Sequence, residues 1–461
     1  NKSLFKKLCL LLVATALFLG SCKKDDPVAE VPLEDDGLTE EAVQIANLES
    51  DLSKLGTGAL KVLLDTNNLA PKDKYLVFYK PSFQQPLAAT YTGTDDGKAD
   101  AAALTERNFK TKVGSQFRTP VVNGTDILEW FSVLSCGFYA ELNPYQVKEL
   151  YKTSEVDYIS KEPVYEPDGE VAFVFGSEPL FVHGYKKVTS TSKKIWILDT
   201  GCDTSNGILN LDPLSKNFYG GRMNQDARHG NSVALIAGAR EYGSANMRGT
   251  AEGARIVMLR VGDGTEGFPW TSLNKGLEYC WINTKKGDIV NLSLSISSVT
   301  KDKAELAPII QMEANLLQYI DWEIPIVIAA GNQSIYASKR SPARLGLKYK
   351  DNQLKYGFIH VVANIIPIGT EAEIKNATTN FALKATSNYG RAVRWGLLGT
   401  WLRMSPEGEV SVGSGTSFSA PALSGILYNN STNLGMPNTC LQVIKYRKDK
   451  TNFTHLVPTL K

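Results

Sequence analysis

The sequence predicts an α/β protein: a large domain built on a mostly parallel sheet, preceded by a small α+β domain. Three observations predict it. The chain has 461 residues, 43% of them hydrophobic, enough for a sizeable core and more than one domain. From about Tyr185 onward, short apolar runs rich in β-branched residues alternate with helical segments, the pattern of a parallel sheet covered on both faces. Before that point the elements run strand, helix, strand, strand, helix, strand, which is the split βαβ order.

Residues 1–22 stay outside the fold. Lys2, Lys6 and Lys7 precede an apolar run from Leu8 to Leu19 that ends at Gly20-Ser21-Cys22. A spanning helix needs about 20 apolar residues, whereas a signal segment takes roughly 7–15, so the run reads as an export signal. Leu19-Gly20-Ser21-Cys22 resembles a bacterial lipobox, which implies a lipid on Cys22 and an exported, membrane-anchored protein; the alternative is a plain secretory signal with an incidental cysteine. If the source is a diderm bacterium, the lysines after Cys22 fit placement in the outer membrane or at the cell surface. Residues 23–70 read as a solvated tether followed by a helical stretch. Its Ala42, Val43, Ile45, Ala46, Leu48, Leu52 and Leu55 recur at spacings of three and four, and no role follows for it.

The small domain is expected over residues 71–167. Tyr75–Tyr79, Glu129–Leu134, Gly137–Leu142 and Val156–Ile159 read as strands, and Ala101–Phe109 as a helix. A second helix is marked by Asn143 as cap, Pro144 at its first position and Val147, Leu150 and Tyr151 on one face. In the large domain, residues 185–461, the strands are Ile195–Leu198, Ile256–Val261, Ile289–Leu294 and Ile326–Ala330. The helices include Gly230–Arg240, Leu273–Asn283 and Lys303–Ile320.

Charge and cysteine content bound the function. Fifty Lys and Arg against 48 Asp and Glu leave a net +2 with no dense basic block, so nothing calls for nucleic acid as a partner. Cys9 leaves with the signal and Cys22 takes the lipid, which leaves Cys136, Cys202, Cys280 and Cys440. No spacing among them matches a zinc site, and no disulfide framework is expected.

Three short stretches carry chemistry: Ile195-Trp196-Ile197-Leu198-Asp199-Thr200-Gly201, His229-Gly230-Asn231-Ser232-Val233-Ala234 and Gly415-Thr416-Ser417-Phe418-Ser419-Ala420-Pro421. A serine hydroxyl is a weak nucleophile until a neutral imidazole takes its proton, and the imidazole needs a carboxylate to fix its tautomer. Asp199 falls at the end of a strand, where sites form in open α/β sheets. His183, His360 and His455, the other three histidines, lack such a setting.

In this order the motifs resemble the subtilisin-like serine proteases, over roughly Tyr185 to Lys450. The order Asp, His, Ser is itself that of subtilisin. The resemblance implies a subtilisin-like three-layer domain, with Ser417 as nucleophile, His229 as general base and Asp199 as its orienting acid. Ile326-Val327-Ile328-Ala329-Ala330-Gly331-Asn332 resembles the family's oxyanion segment. It implies Asn332 as a donor to the tetrahedral intermediate, with Gly331 beside it in the substrate-binding wall. Arg248-Gly249-Thr250-Ala251-Glu252-Gly253-Ala254 and Ser387-Asn388-Tyr389-Gly390 resemble scaffold turns of the family.

Gly137-Phe138-Tyr139-Ala140-Glu141-Leu142 and Val156-Asp157-Tyr158-Ile159 resemble the subtilisin propeptide, a ferredoxin-like domain that occupies the protease cleft as an intramolecular inhibitor. Residues 168–184 are then a processing linker. The alternative is an accessory domain that stays attached.

Departures from the family concern what is cut. After Asn291-Leu292-Ser293-Leu294 the family places glycines on the strand that binds substrate; here Ser295-Ile296 stand instead, so Ser293, Leu294 and Ser295 are expected to line a reshaped cleft. Asn231, Phe418 and Trp395-Gly396-Leu397-Leu398-Gly399 also differ from the usual pattern, and Arg340–Gly357 reads as an insertion.

The function expected is a lipid-anchored serine endopeptidase acting on protein or peptide substrates and made as a propeptide-inhibited zymogen. The alternatives are a catalytically silent lipoprotein of the same fold that binds a partner, and an esterase or peptide ligase on the same triad. No metal site is legible and the chemistry needs no cofactor. The resemblance allows structural calcium held by scattered carbonyl and carboxylate oxygens.

Overall fold

The computed structural model describes residues 71–116, 122, 124–167, 170–171, 185–189, 192–205, 207–242, 247–298, 303–347, 357–368, 380–404, 410–430, 440–448 and 451–458. The export signal, Cys22, the tether and the helical stretch over residues 38–70 lie outside them, as does most of the linker over residues 168–184.

In the small domain the strands Asp73–Tyr79, Ile127–Phe131, Gly137–Leu142 and Val156–Ser160 form one sheet, with the first strand between the third and the fourth and antiparallel to both. The first helix, Lys98–Gln116, is longer at both ends than Ala101–Phe109. The second, Pro144–Tyr151, carries the full capping box: Asn143 accepts from the Gln146 amide, and the Gln146 side chain accepts from the Asn143 amide.

Alternation along the first strand divides the small sheet into two faces. Val77 and Tyr79 join Phe109, Phe138, Val147 and Leu150 in the domain's own core. Phe78 points the other way. Its ring stacks on Tyr158 at 4.5 Å and meets Trp270 of the large domain edge-on at 5.2 Å.

The large sheet places Arg255–Arg260, Ile195–Asp199, Ile289–Leu292, Ile326–Ala329, Ile359–Ile368 and Trp395–Leu398 side by side, all parallel. The strand order reverses at Ile195–Asp199, whose later neighbours lie on either side of it, and the carboxyl end of such a strand opens a crevice. Asp199 stands at that end.

Both faces of this sheet are covered. Ile195 and Ile197 share a core with the helices Arg228–Gly238 and Thr416–Asn430. Trp196 and Leu198, of opposite parity and equally buried, meet the helix Trp270–Asn283. The Trp196 ring lies 6.4 Å from Tyr279, and the Leu198 side chain lies against Gly276. The result is three layers. An antiparallel hairpin, Cys440–Lys448 with Thr451–Pro458, extends the sheet at one edge.

Two expected strands end early, each for a visible reason. The run Ile289–Leu294 breaks at Ser293 into Ile289–Leu292 and Leu294–Ser297, where the Ser293 carbonyl accepts from the Ser417 hydroxyl. Glu129–Leu134 is observed as Ile127–Phe131, because the amides of Val133 and Leu134 bond to the Glu278 carboxylate instead of continuing the ladder.

Candidate active site

The loop after the first central strand and the helix after it bring Asp199 and His229 together. Asp199 Oδ1 lies 2.8 Å from His229 Nδ1 and also accepts the Thr200 amide at 2.7 Å. Thr200 Oγ1 accepts the Gly230 amide at 2.9 Å, which ties the helix start to the strand end. Gly230 is required by space: a Cβ there meets the Gly201 carbonyl oxygen at 2.4 Å. Asp199 is fully buried, while the His229 side chain retains 11% exposure, so the carboxylate is fixed in protein and the imidazole faces the cleft.

The helix carrying Ser417 starts one residue before it, at Thr416, and is buried from Thr416 to Tyr428. Pro421 has no N–H, so the Ser417 carbonyl has no helical donor four residues on. Ser293 Oγ supplies one at 2.9 Å. Asn291 donates to Ser293 Oγ at 3.0 Å and accepts from Ser424 Oγ at 3.0 Å, which ties the strand Ile289–Leu292 to the helix that carries Ser417. The Phe418 ring, one residue after Ser417, lies 6.0 Å from the His229 ring.

One expected contact is absent. Ser417 Oγ donates to the Ser293 carbonyl at 3.2 Å, and His229 Nε2 has no hydrogen-bond partner among the described residues. Catalytic hydrogen bonds are often unformed without substrate and tighten when it arrives.

Asn332 follows the strand Ile326–Ala329. Its Oδ1 accepts the Thr416 amide at 3.0 Å, so its NH2 end is the donor directed elsewhere. Gly331 adopts φ +97°, and a Cβ there meets Asn388 Nδ2 at 2.3 Å. Asn388 organises this turn: its oxygen accepts the amides of Gln333 and Ile335, and its nitrogen donates to the Ala330 carbonyl. The sequence marked Asn388 as scaffold without showing what it holds. Asn291, Ser424 and Thr200 carried no signal beyond the motifs around them.

The substrate-binding residues expected at Ser293, Leu294 and Ser295 line a cleft that a strand already fills. Val164–Pro167, which leaves the small domain, pairs antiparallel with Leu294 and Ser295 on one side and with Phe268 and Pro269 on the other. Glu170–Val171 then pairs antiparallel with Gly413 and Ser414, just ahead of Ser417.

Other candidates resolve as structure. His360 is fully buried, accepts the Trp395 indole N–H at 3.0 Å and has its basicity pushed far down by burial. Cys136, Cys202 and Cys280 are free and buried; burial raises the Cys202 thiol to about 12. Among the described residues no group of three or more His, Cys, Asp or Glu side chains is placed to hold a metal ion. Trp395–Leu398 forms a sheet strand, and Arg340–Ser341, the start of the expected insertion, pairs with Ile296 and Ser297 at the cleft edge.

Comparison with known proteins matches residues 191–429, just over half of the chain, to the model of the subtilase family. No curated protein matches the chain. Among solved structures it is similar to the epidermin leader peptide processing serine protease from Staphylococcus aureus. That match has 14% identity and a TM-score of 0.52, covering 78% of this chain and 88% of that one. It is also similar to fervidolysin from Fervidobacterium pennivorans, a keratinolytic enzyme related to subtilisin. Here the identity is 16% and the TM-score 0.50, covering 78% of this chain and 55% of that one.

Proposed function

This chain belongs to the subtilase family and is a serine endopeptidase, and from that premise we propose that it cuts peptide bonds through Asp199, His229 and Ser417. The observation that carries the assignment is the 2.8 Å Asp199–His229 pair, whose imidazole lies 6.0 Å from the ring of Phe418, the residue after the buried Ser417. Ser417 Oγ attacks the scissile carbonyl carbon while its proton passes to His229 Nε2. Asp199 holds the opposite ring nitrogen and stabilises the charged imidazole. The oxyanion takes the Asn332 side-chain amide and the Ser417 backbone N–H. The C–N bond breaks as His229 returns the proton to the leaving amine. Water then gives a proton to His229 as its oxygen bonds to the acyl carbon, and the acyl–Oγ bond breaks as His229 returns that proton to Ser417 Oγ. No step calls for a cofactor.

The small domain acts as the propeptide, and its tail strand Val164–Pro167 holds the cleft in the manner of a substrate. Pairing of that strand on both edges, with Glu170–Val171 paired to Gly413 and Ser414, supports this reading over an accessory domain that stays attached. The lipobox-like Leu19–Cys22 supports export and anchoring through Cys22. Retention of Asp199, His229, Asn332 and Ser417 in one geometry speaks against a silent binding protein.

A fluorophosphonate probe on the whole chain and on Ser417→Ala, with mass mapping of the mature amino terminus, tests the assignment. Wild type is expected to be labelled and shortened; the variant is expected to show neither. Shortening that persists in Ser417→Ala removes autoprocessing. Palmitate incorporation lost in Cys22→Ala checks the anchor.

A further inference from the structure

The strand that fills the cleft makes one charged contact with the wall. Arg340 is 7% exposed, and its guanidinium donates twice to Ser295 Oγ, from Nε at 3.1 Å and from Nη2 at 2.8 Å. The same Nη2 lies 3.3 Å from Glu166 Oε2. Glu166 pairs with Ser295 across the strands, and Arg340 pairs with Ser297 on the far side of that wall strand. Thus the serine that replaces a family glycine positions the arginine, and the arginine meets the side chain opposite that serine. A guanidinium with this fixed fork favours a carboxylate over a neutral or cationic partner.

The register also locates this residue relative to the cut. Pro167 pairs with Leu294, which follows Ser293, the acceptor of the Ser417 hydroxyl; Glu170 pairs with Ser414, three residues before Ser417. Asp168 and Gly169, which join the two paired segments, lie outside the described residues. By chain order alone, the bond presented to Ser417 falls between Pro167 and Glu170.

We propose that Arg340, positioned by Ser295, is a specificity-determining residue that selects substrates bearing an acidic side chain where Glu166 lies, one residue before the last paired position upstream of the cut. This rests on the endopeptidase reading above. The processing sequence of the chain itself, Val164-Tyr165-Glu166-Pro167, is the first example of that preference.

The test uses the processed protein and peptides spanning residues 162–173 with Glu, Gln or Lys at the Glu166 position. Because Glu166 keeps 69% of its side chain exposed, the expected preference in kcat/KM for Glu over Gln is about 2- to 5-fold, with Lys lower still and the spread shrinking in high salt. Arg340→Glu is expected to invert the order of the Glu and Lys peptides. Ser295→Ala is expected to flatten it, which covers the case in which Arg340→Glu fails to fold. Mass spectra are expected to place every cut between Pro167 and Glu170. Equal rates for all three peptides in the wild type overturn the proposal.

A second arm does not depend on hydrolysis. In the full chain carrying Ser417→Ala, Glu166→Lys is expected to lower hydrogen-exchange protection of the Val164–Pro167 strand, and Arg340→Glu added to it to restore protection. If no peptide is cut, the endopeptidase reading fails while this arm still decides the role of Arg340. Protection that ignores both changes overturns the proposal.

Discussion

The proposed catalytic centre and the surface that receives the small domain lie on different helices of one domain, and they store their information differently. In the centre, each reacting side chain sits at the end of a strand or the start of a helix, within three residues of a glycine, and its partners follow from backbone position: Asp199 after a strand, His229 and Ser417 at helix starts. On the docking surface the decisive groups are polar side chains on ordinary helices. Glu278 accepts the amides of Val133 and Leu134 at 3.0 and 3.1 Å, Lys275 pairs with Glu129 at 2.5 Å, and Trp270 meets Phe78 and Phe131. Local backbone geometry specifies chemistry here, whereas docking depends on pairs made between distant parts of the chain.

The largest expected effect after loss of Ser417 separates turnover from docking. In the proposed mechanism Asn332 donates to charge that exists only in the transition state, so Asn332→Ala is expected to lower kcat about 10²- to 10³-fold with KM little changed. Its Oδ1 contact with the Thr416 amide is also lost. A Tm within a few degrees of wild type and an unchanged affinity for the small domain show that the effect is catalytic. A rise in KM alone breaks the division between the two regions.

That division explains what the sequence revealed. The buried strands announced themselves by β-branched runs, and the three motifs by glycines that close approach demands. Ile359–Ile368 and Trp395–Leu398 were not recognised as strands, because His360, Asn364 and Pro367 interrupt the first, and the second stood where a family turn was expected. The docking groups were silent for another reason. Glu278 bonds to amides 144 and 145 residues away, and Lys98 to carbonyls 183 and 186 residues away, so no local pattern marks them. Arg340 read as the start of an insertion, and only the fold put it beside Ser295.

A smaller effect is expected from pH, and it belongs to the docking surface alone. Burial pushes the Glu278 carboxyl up from its ordinary 4.5 to about 8, against the pull of the two amides. A carboxyl whose docked value is raised binds a proton on docking. Its contribution is therefore complete below about 4.5 and is lost as pH rises through about 8, so docking weakens progressively between them. Inhibition by the cleaved small domain is expected to decline toward alkaline pH, and Glu278→Gln to flatten the profile. Inhibition that instead strengthens with pH shows that the carboxylate docks charged.

The smallest effect concerns the two ends of the helix Trp270–Asn283, which the small domain holds with opposite charges. Glu162 accepts the Thr271 amide at 2.7 Å and the Thr271 hydroxyl at the amino end. Lys98, 1% exposed, donates to the carbonyls of Thr284 at 3.1 Å and Trp281 at 3.4 Å at the carboxyl end, and lies 4.2 Å over the Trp322 ring. Each charge matches the helix dipole at its end, a term of about 0.3–1 kcal/mol, and Lys98 adds a cation–π contact of similar size. Lys98→Met keeps the apolar stem and deletes the charge, so inhibition by the small domain is expected to weaken about 3- to 10-fold, and Glu162→Gln to weaken it less. Neither change touches Asp199, His229 or Ser417, so kcat of the processed enzyme is expected to hold. A fall in kcat with Lys98→Met shows instead that strain in this helix reaches the nucleophile, and the two regions are then one mechanical unit.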